Sequence, residues 1–271
     1  MEKSTFVGPL WFRLLLLCSM VPRLWSALPV SAQNTTLSKH RDPNALMLLA
    51  AKANGLSGSD LRPWRLKASY KLLDGKGDVI DQGTYEELRG GPSMIKRILT
   101  GSTYTQTDYK TKKGFMRTGI RKPPFLLLTR LGSELIAPLP PPKGIPYLDF
   151  TLKSGEIYGS KMDCLSPATP SVDNSERYCF DAGTSVLRAA YDSTLKTQYL
   201  HDNIIRFQDR FIASDLSFIQ GGTLVLTAHL DTIGPLTTIN DADFIPPSDA
   251  APIPEPAPIK AQAFIGVGLI Q

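Results

Sequence analysis

Apolar and polar positions repeat first with a helical period and then, for most of the chain, with a period of two. In "RDPNALMLLAAKANGLSG", residues 41–58, Leu46, Leu49, Ala53 and Leu56 fall on one stripe. Asp42 can cap, Pro43 suits the first turn and Gly55 the end, so the segment predicts an amphipathic helix. In "WRLKASYKLL", Leu66, Ala68, Tyr70 and Leu72 alternate with Arg65, Lys67, Ser69 and Lys71, the pattern of a strand with one buried face. "DGKGD" then turns the chain, and "VIDQGTYEELRG" returns as the second arm of a hairpin. The alternation continues through "SMIKRILTG", "STYTQTDYKT", "PYLDFTLKSGEIYGSKMDC", "RYCFDAGTSVLRAAYDS", "TQYLHDNIIRFQDRFIASDLSFI" and "TLVLTAHLDTI". Only "PPFLLLTRLGSELIAPLP" interrupts it, with a short helix after paired prolines. The expected class is α+β, an antiparallel meander that buries one face by closing into a barrel or by wrapping around helices.

The two ends break the pattern differently. "MEKSTFVGPLWFRLLLLCSMVPRLWSALPVSAQ" combines Lys3 and Arg13 with an uncharged run, Leu14 to Val21, and the small-residue pattern Val30-Ser31-Ala32. This reads as a signal peptide over residues 1–32, followed by a flexible segment, 33–41. The run is short for a span of about 20 apolar residues, which disfavours the alternative of an uncleaved inner-membrane anchor. At the other end, "FIPPSDAAPIPEPAPIKAQAFIGVGLIQ" is proline-rich, so residues 241–271 are expected to form a disordered or extended linker-like tail that does not pack. The domain proper is then 42–240.

Composition adds limits. The 271 residues are 42% hydrophobic and 20% charged, enough for one domain with a real core. Removing residues 1–32, with three cations and one anion, would lower the net charge from +5 to +3, which gives no reason to expect a nucleic-acid partner. Past Cys18 only Cys164 and Cys179 remain, and an even pair in an exported chain is most simply a disulfide.

Candidate chemistry is thin. G-x-S-x-G, H-E-x-x-H and a P-loop are all missing, and the three histidines are far apart in sequence. His229 and Asp231 share a strand face with Thr227, but no partnered nucleophile accompanies them, and a solvated polar face is the simpler reading. Glu86 and Glu87 point to opposite faces of a strand and cannot serve one substrate. The protein is accordingly expected to be neither an enzyme nor a cofactor binder. The densest charge run, "KTKKGFMRTGIRK", offers Lys110, Lys112, Lys113 and Arg117 as contacts for anionic headgroups or an acidic partner, against the simpler role of a solvated hairpin.

The first helix ending in "LAAKANGL", the segment "PWRLKASYKLLDGKGDVIDQGTYEELRG", the paired-proline helix and the late strands together resemble the N-terminal domain of TonB-like energy-transducer proteins of Gram-negative bacteria. The tail is similar to the linker that in those proteins precedes the TonB C-terminal domain. The chain ends before any such domain, so energy transduction by this chain alone is not expected. The helix-then-strands order also resembles the lipoprotein-carrier (LolA/LolB-like) fold, which implies an open antiparallel half-barrel with one or two helices across its concave face.

Two functions follow as expectations. One is a monomeric periplasmic module holding a lipid, another apolar ligand or a lipidated peptide, lined by Leu49, Leu66, Tyr70, Phe150, Leu152 and Phe207. The other is a filled-core domain that docks on cell-envelope proteins.

Overall fold

The structure is a computed structural model and describes residues 42–119, 126–145, 149–157, 159–168 and 176–253. The signal-peptide reading, the 33–41 segment and the tail beyond Ile253 lie outside these residues.

Helix α1 (Pro43–Ala53) starts as its sequence dictates: Asp42 accepts the Asn44 amide at 3.0 Å, and Pro43 occupies the first turn, where its missing N–H costs nothing. Strands β1 (Trp64–Leu73) and β2 (Val79–Gly91) form the first hairpin. Asp74 closes its turn by accepting the amides of Lys76 and Asp78 at 2.8 and 2.9 Å. Strands β3 (Met94–Thr100), β4 (Thr105–Thr111) and β5 (Gly114–Gly119) extend the meander to one edge. Helix α2 (Leu126–Ile136) follows in sequence, before β6 (Phe150–Ile157) at the opposite edge. Strands β7 (Ser160–Pro167), β8 (Arg177–Asp181), β9 (Leu187–Asp192), β10 (Thr197–Phe207), β11 (Arg210–Gln220) and β12 (Thr223–Pro235) then step back toward the middle.

Among the described residues the strands, with β13 (Ala251–Pro252) as the last, form one open, antiparallel, thirteen-stranded sheet, ordered β13-β5-β4-β3-β2-β1-β12-β11-β10-β9-β8-β7-β6. Two meanders are joined by the pairing of β1 with β12, which brings Trp64 opposite Pro235 and Ser69 opposite His229. One face, called inner below, carries the core. Leu66, Ala68, Tyr70 and Leu72 of β1 join Leu226, Ala228 and Leu230 of β12 in a continuous cluster with Leu46, Met47 and Ala50 of α1 and Leu128, Leu131 and Leu135 of α2. Both helices therefore cover the same face, and the Leu56 amide ties their C-terminal ends together through the Ile136 carbonyl at 2.7 Å. Asn54, the C-cap of α1, is buried and locks the helix to the sheet, accepting the Leu187 amide at 2.9 Å and donating to the Ser185 carbonyl at 2.6 Å.

Three expectations need correction. Leu49 is 56% exposed, because α1 turns Leu46, Met47 and Ala50 to the sheet, so Leu49 lines no interior surface. The chain does not leave the domain at residue 240. Asp241–Phe244 form a 3-10 turn that buries Phe244, and β13 (Ala251–Pro252) pairs with Arg117 and Met116 of β5. The proline-rich segment is thus packed as far as Ile253, whose amide donates to the Phe115 carbonyl at 3.0 Å. Its short added strand covers part of an edge that would otherwise offer unpaired backbone groups.

Cys164 and Cys179 form a disulfide between directly opposed residues of β7 and β8, as their isolation in the sequence implies.

Candidate functional site

The inner face of β2–β5 departs from the apolar pattern of the rest of the sheet. Register places Glu87, Arg97, Asp108 and Arg117 directly opposite one another on four successive strands, a rung of alternating charge. Glu87 is completely buried. It accepts from the Tyr85 hydroxyl at 2.5 Å, from Arg89 Nε at 2.6 Å and from Arg97 Nε at 3.0 Å. Arg117 grips Asp108 with Nε and Nη2 at 2.5 and 2.7 Å. The guanidinium carbons of Arg89 and Arg97 also lie 5.4 Å from the Trp64 ring and 5.0 Å from the Phe115 ring. Burial pushes the Tyr85 phenol well above its ordinary range, reinforced by the Glu87 charge. Burial opposes the charge on Arg97, but Glu87, Tyr85 and Asp108 together outweigh it and hold its pKa above the ordinary value. Each charge of the rung stands directly opposite one of the other sign, which offsets the cost of covering it.

Helix α2 lies over this rung without filling the space above it. A cavity of about 440 Å³ separates the two, walled by Leu128, Gly132 and Ile136 of α2 and by Tyr85, Arg97, Leu99, Asp108, Phe115 and Arg117 of the strands, with Ile253 beside β5. Gly132 permits the helix to approach: a Cβ there would meet the Tyr85 ring at 2.9 Å. A second cavity, about 380 Å³, shares Ser57, Arg89, Arg97 and Phe115 as walls and is completed by Leu61, Arg62, Ile95 and Lys110, among others. A space with apolar walls and a few convergent polar groups is the usual form of a small-molecule site.

The expected lining residues are elsewhere. Leu66, Tyr70 and Phe150 are buried in the continuous core, and Leu152 and Phe207 pack against it half-buried. None of them lines either of these two cavities. The Tyr70 hydroxyl sits within hydrogen-bond distance of Asp81 at 3.1 Å and Tyr104 at 3.2 Å, a polar core network. Tyr70 also borders an open groove of about 760 Å³ on the β1–β12 side. In the basic run, Lys112 and Lys113 are exposed at the β4–β5 turn and Lys110 Nζ donates to the Pro92 carbonyl at 3.0 Å. Arg117 is no surface contact, since its side chain is 13% exposed and engaged by Asp108. Arg121 and Lys122 lie outside the described residues. The residues that do build the site, Glu87, Arg89, Arg97 and Asp108, lie on strands whose sequences gave their faces. Only cross-strand register puts them in contact.

On the outer face, His229 donates from Nδ1 to Asp215 of β11 at 2.7 Å, while Asp231 accepts from Ser69 Oγ at 3.0 Å. The pairing is across strands, so the His229–Asp231 pair suggested by the sequence does not form. Glu86 pairs with Lys67 at 2.9 Å on the opposite side from Glu87, as strand alternation requires. No helix among the described residues is long and apolar enough to cross a membrane.

Neither the known protein-family models nor the curated proteins contain a match to this chain. Solved structures do. A DUF1329 family protein from Desulfovibrio piger is similar over 76% of this chain and 98% of its own, at 11% identity and a TM-score of 0.50. An outer membrane lipoprotein-sorting protein domain from Vibrio parahaemolyticus is similar over 74% and 95%, at 10% identity and a TM-score of 0.48. A LolA superfamily protein from Nitrosomonas europaea is similar over 76% and 99%, at 10% identity and a TM-score of 0.44. At such identities the likeness is one of fold, and it rests on the first of the three. The open antiparallel sheet carrying helices on one face is a fold this chain shares with the Desulfovibrio protein.

Proposed function

We propose that the chain is a non-enzymatic periplasmic binding module that holds an apolar ligand, such as a lipid or the acyl part of a lipidated peptide, against the inner face of its sheet. The observation that carries this reading is the cavity of about 440 Å³ between α2 and β2–β5, lying over a sheet whose other inner positions are tightly filled. Periplasmic placement rests on the N-terminal signal pattern and on the disulfide, which favours an oxidising compartment. A relation to TonB-like transducers rests on the sequence resemblance alone.

The test is displacement of an environment-sensitive apolar dye, N-phenyl-1-naphthylamine, from delipidated protein. Oleyl alcohol should compete with the dye in the unmodified protein and less well in Ala137→Phe, which adds a ring at the wall of the space under α2. An absence of any displaceable dye binding would overturn the reading and favour a domain that docks on envelope proteins through its surface.

A further inference from the structure

The charge balance around the cavities goes beyond an apolar site. The four-residue rung is neutral, with Glu87 and Asp108 set against Arg97 and Arg117. Arg89 is then a surplus cation, and it must share Glu87 with Arg97. Among the described residues, Arg89 and Arg97 each hydrogen-bond Glu87 through Nε alone, which leaves the Nη groups of both guanidinium forks to other partners. Both arginines line both cavities, and Arg62 and Lys110 add two further cations to the second one. Apolar surface from Leu99, Leu128, Ile136 and Phe115 faces the same space.

We propose that the ligand is a single-chain amphiphile with a carboxylate head, a long-chain fatty acid, whose acid group is held by the Arg89–Arg97 pair while its chain runs beneath α2. This inference rests on the binding reading above and adds the head group to it. A partly buried cationic surplus is costly when unpaired and is relieved by an anion, and two guanidinium forks side by side match a planar carboxylate. A neutral chain would leave that surplus in place. The size fits as well, since each cavity falls within the range of about 300–1,000 Å³ found for small-ligand sites.

The experiment compares oleate with oleyl alcohol, which has the same chain and no charge, by titration calorimetry on delipidated full-length protein, in wild type, Arg97→Gln and Arg97→Lys. Oleate should bind more tightly than the alcohol by about tenfold or more, the scale of a charge-assisted hydrogen-bonded pair. Arg97→Gln should remove most of that advantage, and Arg97→Lys should retain part of it. Thermal melting of each variant verifies folding. If Arg97→Gln unfolds, the oleate-to-alcohol ratio in the wild type and in Arg97→Lys still decides. Equal binding of oleate and the alcohol would overturn the head-group assignment and leave the apolar-site reading standing. Binding of neither would overturn both. Displacement of oleate by inorganic phosphate at concentrations comparable to its own would mark a simple anion site and overturn the amphiphile.

Discussion

The two wings of the sheet solve the same packing problem in opposite ways. In the wing of β7–β12, Leu165, Phe180, Tyr199, Leu216 and Phe218 fill the inner face, with Tyr199 and Phe218 edge to face at 4.7 Å. A cavity of only about 10 Å³ lies between that wing and the helices, beside the buried Glu134–His201 contact at 3.3 Å. That is room for about one water molecule. In the wing of β2–β5, the inner face carries Glu87, Arg97, Asp108 and Arg117, and the space under α2 is about 440 Å³. An apolar side chain gains by excluding every neighbouring void, so such faces close. A guanidinium loses hydration when it is covered without a partner, so a charged rung keeps the helix off and the space open. One sheet is therefore filled on one wing and hollow on the other.

The largest test of this contrast is Glu87→Ala. It would leave Arg89, Arg97 and the Tyr85 hydroxyl without their shared acceptor, and a loss of about 3–5 kcal/mol is expected in urea denaturation. A change below about 1 kcal/mol would mean the rung does not organise its wing.

The packing difference itself is tested by a pair of truncations. Phe218→Ala in the filled wing should cost about 3–5 kcal/mol, whereas Leu128→Ala should cost about 2 kcal/mol, because it widens an existing cavity instead of opening a new dry one. Equal losses would erase the distinction between the wings.

Deleting residues 241–271 probes the edge that closes the hollow wing. Loss of the buried Phe244 and of the β13 pairing should lower stability by about 2 kcal/mol and, with Ile253 gone from the cavity wall, weaken dye binding. Unchanged melting and unchanged binding would return the segment to the role of a passive linker.

The smallest effect belongs to the outer face, away from the cavity under α2. Asp215 holds His229 above its ordinary pKa of 6.5, with burial opposing slightly, so this contribution to stability is complete below about 6.5 and fades as pH rises through the raised folded value. Asp215, lowered from 3.8 chiefly by His229 and then by Asn203, contributes above about 3.8 and loses its share as pH falls through the lower value. The pair thus supports the fold most fully between those pH values. Proton NMR titration of His229 should give a midpoint above 6.5 that falls in Asp215→Asn, with dye binding unaffected.

Much of the fold could be read from the chain because its signals are local. The faces of β1 and β12, the Asp74 turn, the Asp42 cap and the paired-proline helix all depend on residues within a few positions of one another. Local signals failed where the pattern was degenerate. "ALMLLAA" is apolar on every side, so periodicity could not choose between Leu49 and the Met47–Ala50 face. The β10–β11 turn uses Gln208 and Asp209 at φ 46° and 61°, without the Asn-Gly or Asp-Gly signature of such turns. Pro252 reads as a break in structure, yet an edge strand accepts proline where its missing N–H faces away from the ladder.

The candidate site was legible only in part. Arg117 drew attention as one of a run of cations, but nothing local distinguishes an arginine in solvent from one gripping Asp108 inside the domain. Glu87 drew attention beside Glu86, and strand alternation correctly separated the two. What it could not supply was Arg97, ten residues on, as the direct partner of Glu87.

By itself the sequence determined most of the secondary structure, the inner and outer faces of most strands, and the cysteine pair, because side-chain period and cysteine count are properties of the chain that need no knowledge of neighbours. The tertiary structure decided that β1 joins β12, that the last described residues form a thirteenth strand, and that Glu87, Arg97, Asp108 and Arg117 stand in one rung under α2. These are matters of register and of long-range pairing. A shift of one residue between strands would send every side chain to the other face, and only the assembled sheet, with its helices in place, selects among the alternatives.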